Sequence, residues 1–409
     1  MIASESNLHH LYSIDQQYLS GLVQDGIIAR VDALLYRAIE QGASDIHLQP
    51  HEQALVVRER IDGHLADAEE IDNQLAPLII SRIKILARMD IAQRRLPQDG
   101  RAQVAFHLPT GGERIIDIRV ASFPTLFGEK LVLRLLDQEL RLLSFDALGL
   151  DSVIADRVRQ CMVMPHGLML VTGPTGCGKT TMLYAMLTQL NKRNKNIVTI
   201  EDPVEYTLSG IAQSQINVTA GFTFQKGLRA LLRQDPDIIM LGEIRDQETA
   251  RIAMESALTG HQVFSTLHTN DAPAAVIRLL EMGIEPFLIS ATLTGVLAQR
   301  LVRVLCKACK TPENPSAQVA LLMQQHNIAC TTVFVAKGCA ACHGQGFKGQ
   351  TGIFQMLIID NTLRVFIAGS DLNGLHAYIA KQKIPSLLMA GLEKIAAGIT
   401  TLEEVLAVT

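Results

Sequence analysis

The sequence predicts an α/β domain built on a parallel-rich sheet, preceded by a smaller α+β domain, and three observations carry that expectation. At 409 residues the chain is too long for one ordinary core. From residue 156 onward, apolar strands (LMLVTG, IVTIED, DIIMLGE, VFSTLHT) alternate with helical stretches such as the one from Lys179, which is the rhythm of a parallel sheet with its site at the strands' carboxyl ends. Before residue 139 the pattern is instead one helix and then short alternating runs separated by turn signals.

Composition narrows the class. Hydrophobic residues make up 48% and charged residues 19%, with 4% aromatics and no Trp, a profile of an Ala/Leu/Ile-rich α/β enzyme rather than a β-sandwich. A net charge of −4 argues against whole-protein attraction to nucleic acid, so no direct DNA partner is expected. The opening MIASESNLHHLYSID has no basic segment followed by an apolar run, and no apolar stretch approaches the ~20 residues of a membrane-spanning helix. A soluble, cytoplasmic protein is expected.

In chain order, residues 1–25 are polar and read as a flexible arm. IIARVDALLYRAIEQG has helical apolar spacing and ends at Gly42, which suits a helix C-terminus. DIHLQP, ALVVRERI, AQVAFHL, RIIDIRV and KLVLRLL read as strands, with turns at Asp62-Gly63 and Gly111-Gly112, giving an amino-terminal domain over 26–138. Residues 139–155 read as a linker. Residues 156–409 form the second domain, with a Cys/Gly-bearing insertion over 303–353 and a helical carboxyl-terminal region over 360–409.

Gly173-Pro174-Thr175-Gly176-Cys177-Gly178-Lys179-Thr180-Thr181 fits the phosphate-binding loop G-x-x-x-x-G-K-[ST] and lies between a strand, Leu168 to Val171, and a helix. Its glycines let backbone N–H groups converge on phosphate oxygens at a helix N-terminus. Lys179 is suited to the β- and γ-phosphates of ATP and Thr180 to Mg²⁺. Cys177, near that N-terminus, is expected to be a reactive thiol of lowered pKa.

Two acidic boxes follow. NIVTIEDPVEY places Glu201, Asp202 and Glu205 just after a strand, and RQDPDIIMLGEIRD places Glu243 after the buried run Ile238 to Leu241. Glu243 there can orient attacking water or contact Mg²⁺ through water, or simply pair with Arg245. Asp237 sits at the wrong end of its strand to act as a ligand. His268 and Thr269 end the run Val263 to Leu267, where a histidine can bond the γ-phosphate or serve structurally, whereas His261 at the strand's start reads as structural. Arg119 and Arg134 sit in apolar strands of the first domain, and each needs an anion, either bound phosphate or an internal carboxylate.

Of seven cysteines, Cys306-x-x-Cys309 and Cys339-x-x-Cys342 have the spacing of a structural Zn²⁺ knuckle, with an iron–sulfur site or idle thiols as alternatives. Glycines 338, 344, 346 and 349 allow its tight turns. Cys161 and Cys330 read as buried thiols.

Taken together, GASDIHLQP, MDIAQRRLPQDGR, DIRVASFPT, GEKLVLRLLD, GPTGCGKTT, TIEDPVEY, LRALLRQDPDIIMLGEIRDQETA, ALTGHQVFSTLHTNDA, GIEPFLISATLTGVLAQRLVR, the four cysteines and GITTLEEVLAVT resemble the secretion ATPase family of type II secretion and type IV pilus assembly. The resemblance implies a RecA-like ATPase domain behind a PAS-like one. It makes 196–206 the family's Asp box with Glu205 a secondary catalytic acid, Glu243 the Walker B glutamate, His268 part of the His box, and Arg119 and Arg134 arginine fingers. It further implies a homohexamer at the cytoplasmic face of the inner membrane, working with a platform protein to drive a pilus-like polymer. A nucleotide-binding regulatory or vestigial subunit and a DNA-uptake pilus motor are the alternatives. The chain departs from the family pattern at Cys177 (usually Ser), Lys130 (usually Arg), and Gln49 and Gln355 (usually Glu), and it begins close to the family's second domain.

Overall fold

The computed structural model describes residues 12–14, 26–107, 113–137 and 144–409. The chain divides into two compact units, Met1–Arg141 and Leu142–Thr409.

The first unit contains β1 (Tyr12–Ile14), α1 (Ile27–Glu40), β2 (Ala43–Pro50), β3 (Ala54–Ile61), β4 (His64–Asp72), α2 (Ala76–Leu86), β5 (Gln98–His107), β6 (Glu113–Thr125) and β7 (Gly128–Asp137). They build one sheet in the order β1-β5-β6-β7-β2-β3-β4, antiparallel except where β1 runs parallel to β5. β1 falls within the stretch read from sequence as an arm, and Gly111-Gly112 lies outside the described residues. Period-two alternation points Ile116, Ile118 and Val120 of β6 inward, where they join Leu34, Leu35 and Ile39 of α1 and Ile79 and Ile83 of α2. Each such buried side chain contributes about 1.5–3 kcal/mol. The expected punctuation is present: Gly42 follows α1 at φ +73°, and Asp62 and Gly63 take φ +49° and +80° in the two-residue β3–β4 hairpin. β4, HLADAEEID, was not visible as a strand because it is an edge whose side chains are mostly polar and exposed. Lys84, 1% exposed, is paired with Glu129 at 2.8 Å and bonds the Gln93 carbonyl at 2.6 Å, which fastens the 88–97 loop to α2.

The second unit continues with α3 (Phe145–Leu148), α4 (Ser152–Met162), β8 (Gly167–Thr172), α5 (Lys179–Leu190), β9 (Ile197–Glu201), β10 (Ala212–Gln215), α6 (Phe224–Leu231), β11 (Ile238–Leu241), α7 (Gln247–Leu258), β12 (Gln262–Leu267), α8 (Ala272–Glu281), α9 (Pro286–Thr292) and β13 (Leu293–Leu305). After β14 (Thr311–Glu313), α10 (Ala317–Gln325) and β15 (Val333–Val335), β16 (Phe347–Ile358) returns to the sheet, followed by α11 (Asn361–Ala368), α12 (Leu372–Lys381), α13 (Leu387–Ala396) and α14 (Leu402–Leu406). The main sheet has the order β10-β9-β11-β12-β8-β13-β16, parallel throughout except for β16, which pairs antiparallel with β13.

Helices cover both faces of this sheet, so its strands are apolar on both sides rather than alternating. Leu168 and Leu170 of β8 face a core shared with α6, α7 and α8. Met169 and Val171 face the other core, made with α4 and α5. Residues 145–155, read from sequence as linker, contribute Phe145, Leu150 and Ile154 to that second core. The insertion is narrower than its sequence bounds, because Arg303, Leu305 and residues 347–353 are arms of the β13–β16 pair. Among the described residues, no helix is long and apolar enough to cross a membrane.

Candidate functional site

The sheet order puts β9, β11, β12 and β8 side by side, so the four boxes emerge together at their carboxyl ends. The ladder continues into the loops. Gly242 N–H donates to the Ile200 carbonyl at 2.8 Å, Ile244 N–H to Thr266 at 3.0 Å, and Gly173 N–H to Leu267 at 3.4 Å. Thr172 ends β8 and locks the phosphate loop to the histidine box, because its Oγ1 accepts the Thr269 N–H at 3.0 Å and lies 2.7 Å from Thr269 Oγ1.

Within the loop, Gly173, Gly176 and Gly178 have φ of +152°, +79° and +83°, a backbone only glycine takes without strain. A Cβ on Gly173 would also lie 2.5 Å from Cys177 Sγ and 2.5 Å from the Gln299 carbonyl oxygen. Pro174, Thr175 and Gly176 are exposed, whereas Gly178, Thr180 and Thr181 are half-buried at the start of α5. Lys179, 9% exposed, curls back to donate its Nζ to the carbonyls of Gly173 and Pro174, both at 2.8 Å. Burial pulls its ammonium below the ordinary pKa; Arg300 adds to this, while Cys177 and Glu243 oppose it.

Cys177 overturns one expectation. Its thiol is 4% exposed, and burial pushes its pKa up, against the weaker pull of Lys179 and Arg300. Desolvation of the thiolate outweighs the helix terminus. The reactive, low-pKa thiol expected from sequence is therefore corrected to a buried, neutral one.

Glu243, with 14% of its side chain exposed, stands between two partners: it forms an ion pair with Arg245 and lies 3.5 Å from His268 Nε2. The pairing with Arg245 anticipated as the structural alternative is thus present, alongside a position that still influences Lys179. His268 is half exposed. His261, by contrast, bonds the Ser256 carbonyl at 3.0 Å, and Asp237 accepts the Asn196 N–H at 2.7 Å at the far end of β11.

In the first acidic box, Glu201 is not presented to solvent. It is 2% exposed, with Oε1 accepting from Thr199 at 2.6 Å and Gln213 at 3.1 Å, and Oε2 from the Tyr184 hydroxyl. Tyr184 in turn accepts the Glu205 N–H at 3.4 Å. The phenol on the phosphate-loop helix thereby anchors the turn that leaves the Glu205 carboxylate exposed. Sequence reasoning missed Tyr184 and Gln213, which match no motif.

Arg119 and Arg134 lie in the first unit, directly opposite each other on β6 and β7. Neither is buried, which corrects the premise that each must have an anion. Arg134 has 63% of its side chain exposed and donates its Nε to Asp45 at 3.1 Å, the internal-carboxylate alternative. Arg119 is half-buried and has no ion pair among the described residues.

The four cysteines converge. Sγ atoms of Cys306 and Cys339 are 3.9 Å apart, those of Cys309 and Cys342 3.8 Å, and those of Cys339 and Cys342 3.7 Å. A tetrahedral zinc with bonds of about 2.3 Å requires edges of about 3.8 Å, so the residues fit the metal. Backbone N–H groups of Cys339 and Gly346 donate to Cys342 Sγ at 3.2 and 3.1 Å, the support a thiolate needs. Gly338 is required on space as well as φ (+92°), since a Cβ would sit 2.3 Å from the Gly344 carbonyl oxygen. Cys161 is buried as expected, and Cys330 is half-buried, outside the cluster.

Residues 22–407 match the family model described as type II/IV secretion system protein. The chain is 49% identical over 383 residues to the type II secretion system protein E of Pseudomonas aeruginosa, covering 94% of this chain and 75% of the relative. It is 46% identical over 386 residues to the type II secretion system ATPase E of Vibrio cholerae, again covering 94% and 75%. The type IV pilus assembly ATPase TfpB of Acinetobacter baylyi is 46% identical over 385 residues, 93% of this chain and 65% of that one. Among solved structures, the Legionella pneumophila ATPase DotB shares the fold, with a TM-score of 0.68, 19% identity and coverage of 97% and 98%. The pilus retraction motor PilT, solved with ADP, has a TM-score of 0.59, 25% identity and coverage of 92% and 96%.

Proposed function

This chain belongs to the type II/IV secretion system protein family, and on that premise we propose that it is an ATP-hydrolysing motor powering assembly of a pseudopilus for type II secretion or of a type IV pilus. The observation that carries the proposal is the placement of Glu243, at the end of a strand flanked by the Asp-box and His-box strands, 3.5 Å from His268 and close enough to Lys179 to shift its pKa. Loop amides of 173–181 and Lys179 bind the phosphates. Thr180 would hold Mg²⁺, which when bound would supply positive charge to offset the negative charge developing on the phosphates. Glu243 orients water for in-line attack and takes its proton, a role worth about 10²–10⁴ in rate.

His268, with Thr269 tied to Thr172, couples the γ-phosphate position to the end of β12. Glu205 is the secondary acid, and Arg119 and Arg134 are the arginine fingers that resemblance to the family implies. The working assembly is a homohexamer acting with an inner-membrane platform protein at the cytoplasmic face. Zn²⁺ in the four-cysteine knuckle is structural, since four thiolates leave no open position.

Replacing the native gene by the Lys179→Ala variant tests the motor role. Loss of extracellular secretion or of pili, with the variant protein still present at wild-type abundance, is the expected result. Unchanged secretion and piliation would overturn it.

A further inference from the structure

Arg300, on β13, is a buried cation that no role assigned above uses. It is 7% exposed, and its three hydrogen bonds all run to neutral carbonyl oxygens: Nε to Val408 at 3.0 Å, Nη1 to Gln299 at 3.1 Å and Nη2 to Asn270 at 2.7 Å. Among the described residues it has no ion pair. The nearest carboxylate in sequence to Asn270, that of Asp271, is engaged in capping α8 through the Ala274 N–H at 2.8 Å. A guanidinium taken out of water is costly unless a counter-charge lies beside it. Burial accordingly pulls its pKa down, with Cys177 and Asp271 opposing.

The guanidinium lies directly behind the phosphate loop. A Cβ on Gly173 would come within 3.1 Å of Arg300 Nη1, and Lys179 Nζ bonds the carbonyl of that same glycine at 2.8 Å. Two cations thus converge on the first residue of the loop, Lys179 held by the loop's own carbonyls and Arg300 by carbonyls from three other places in the chain. The missing counter-charge is the kind a polyphosphate brings.

We infer that Arg300 is a fixed positive charge of the phosphate site, strengthening nucleotide binding in proportion to the number of phosphates the ligand carries. It acts through the loop rather than by contact, as a positioning and electrostatic residue, and the inference rests on the assignment of 173–181 to ATP. A strut that only ties Gln299, Asn270 and Val408 together would affect all nucleotides alike.

Titration calorimetry of the full chain with AMP, ADP and ATP in Mg²⁺ separates these. In Arg300→Gln the Kd should rise about tenfold more for each added phosphate, the size expected for unit charges ~10 Å apart at an effective dielectric near 20. Arg300→Lys keeps the charge and loses the fork, so its three Kd values should stay within about threefold of wild type. An equal factor for AMP, ADP and ATP in Arg300→Gln overturns the inference. If Arg300→Gln does not fold, weakening of all three ligands by tenfold or more in Arg300→Lys does the same. Wild type that binds no nucleotide defeats the phosphate-loop assignment itself, a different outcome from a wild type that binds ATP with a flat variant ladder.

Discussion

Removing the Tyr184 hydroxyl perturbs the site by an amount the structure sets closely. Tyr184 is 0% exposed, and its phenol is the donor to Glu201 Oε2 while Thr199 and Gln213 serve Oε1. Tyr184→Phe therefore strands one oxygen of a buried carboxylate. A hydrogen bond to a charged group is worth about 1.5–3 kcal/mol, so the variant should lose about 2–3 kcal/mol of unfolding free energy. Glu201→Met should lose a similar amount by leaving the phenol, Thr199 and Gln213 without their acceptor. Removing both partners of a buried pair costs less than the sum of the singles. The double variant should fall short of additivity by about 1.5 kcal/mol or more, the coupling expected of residues in one network. Urea unfolding followed by far-UV circular dichroism, suited to a chain without Trp, compares all four proteins. Costs that add to within about 0.5 kcal/mol would refute the network.

Three further outcomes follow from the cysteines. Purified protein should carry one zinc per chain, and Cys342→Ser should abolish it and open residues 306–346 to protease; a folded, protease-resistant wild type without metal contradicts the knuckle. Burial pushes the Cys161 thiol to about 12, above the ~8.5 of an unfolded thiol. Its contribution to stability is then complete below pH ~8.5 and is lost as pH rises toward 12, so Cys161→Ala should show a shallower alkaline decline; identical slopes in wild type and variant would contradict this. Cys177, with its pKa raised by burial, should react with thiol reagents at pH 7 more slowly than the half-buried Cys330, as peptide mapping of labelled protein would show; faster labelling of Cys177 would restore the reactive thiol.

Much of this was legible because local pattern and global fold agree. The loop 173–181 has its strand and helix in order, and Glu243 and His268 each close an apolar run that became an adjacent strand of one parallel sheet. β13 escaped notice because a 13-residue strand buried on both faces shows no alternation, and its partner β16 was hidden behind the cysteines. The outward placement of Arg119 was in fact encoded, since Ile116, Ile118 and Val120 alternate with it, but the apolar content of the segment suggested burial on both faces. Desolvation is the quantity sequence does not carry. It decides Cys177, where a nearby helix N-terminus is overridden, and Arg300, whose apolar flanks hint at burial but not at partners limited to carbonyls.

The most direct measurement compares ATP binding and steady-state hydrolysis by the assembled wild type and by Glu243→Gln in Mg²⁺. Wild type should turn over ATP, while the variant should bind it with unchanged Kd and hydrolyse it about 10²–10⁴ times more slowly. Equal, negligible turnover in both, with ATP bound, would contradict the motor.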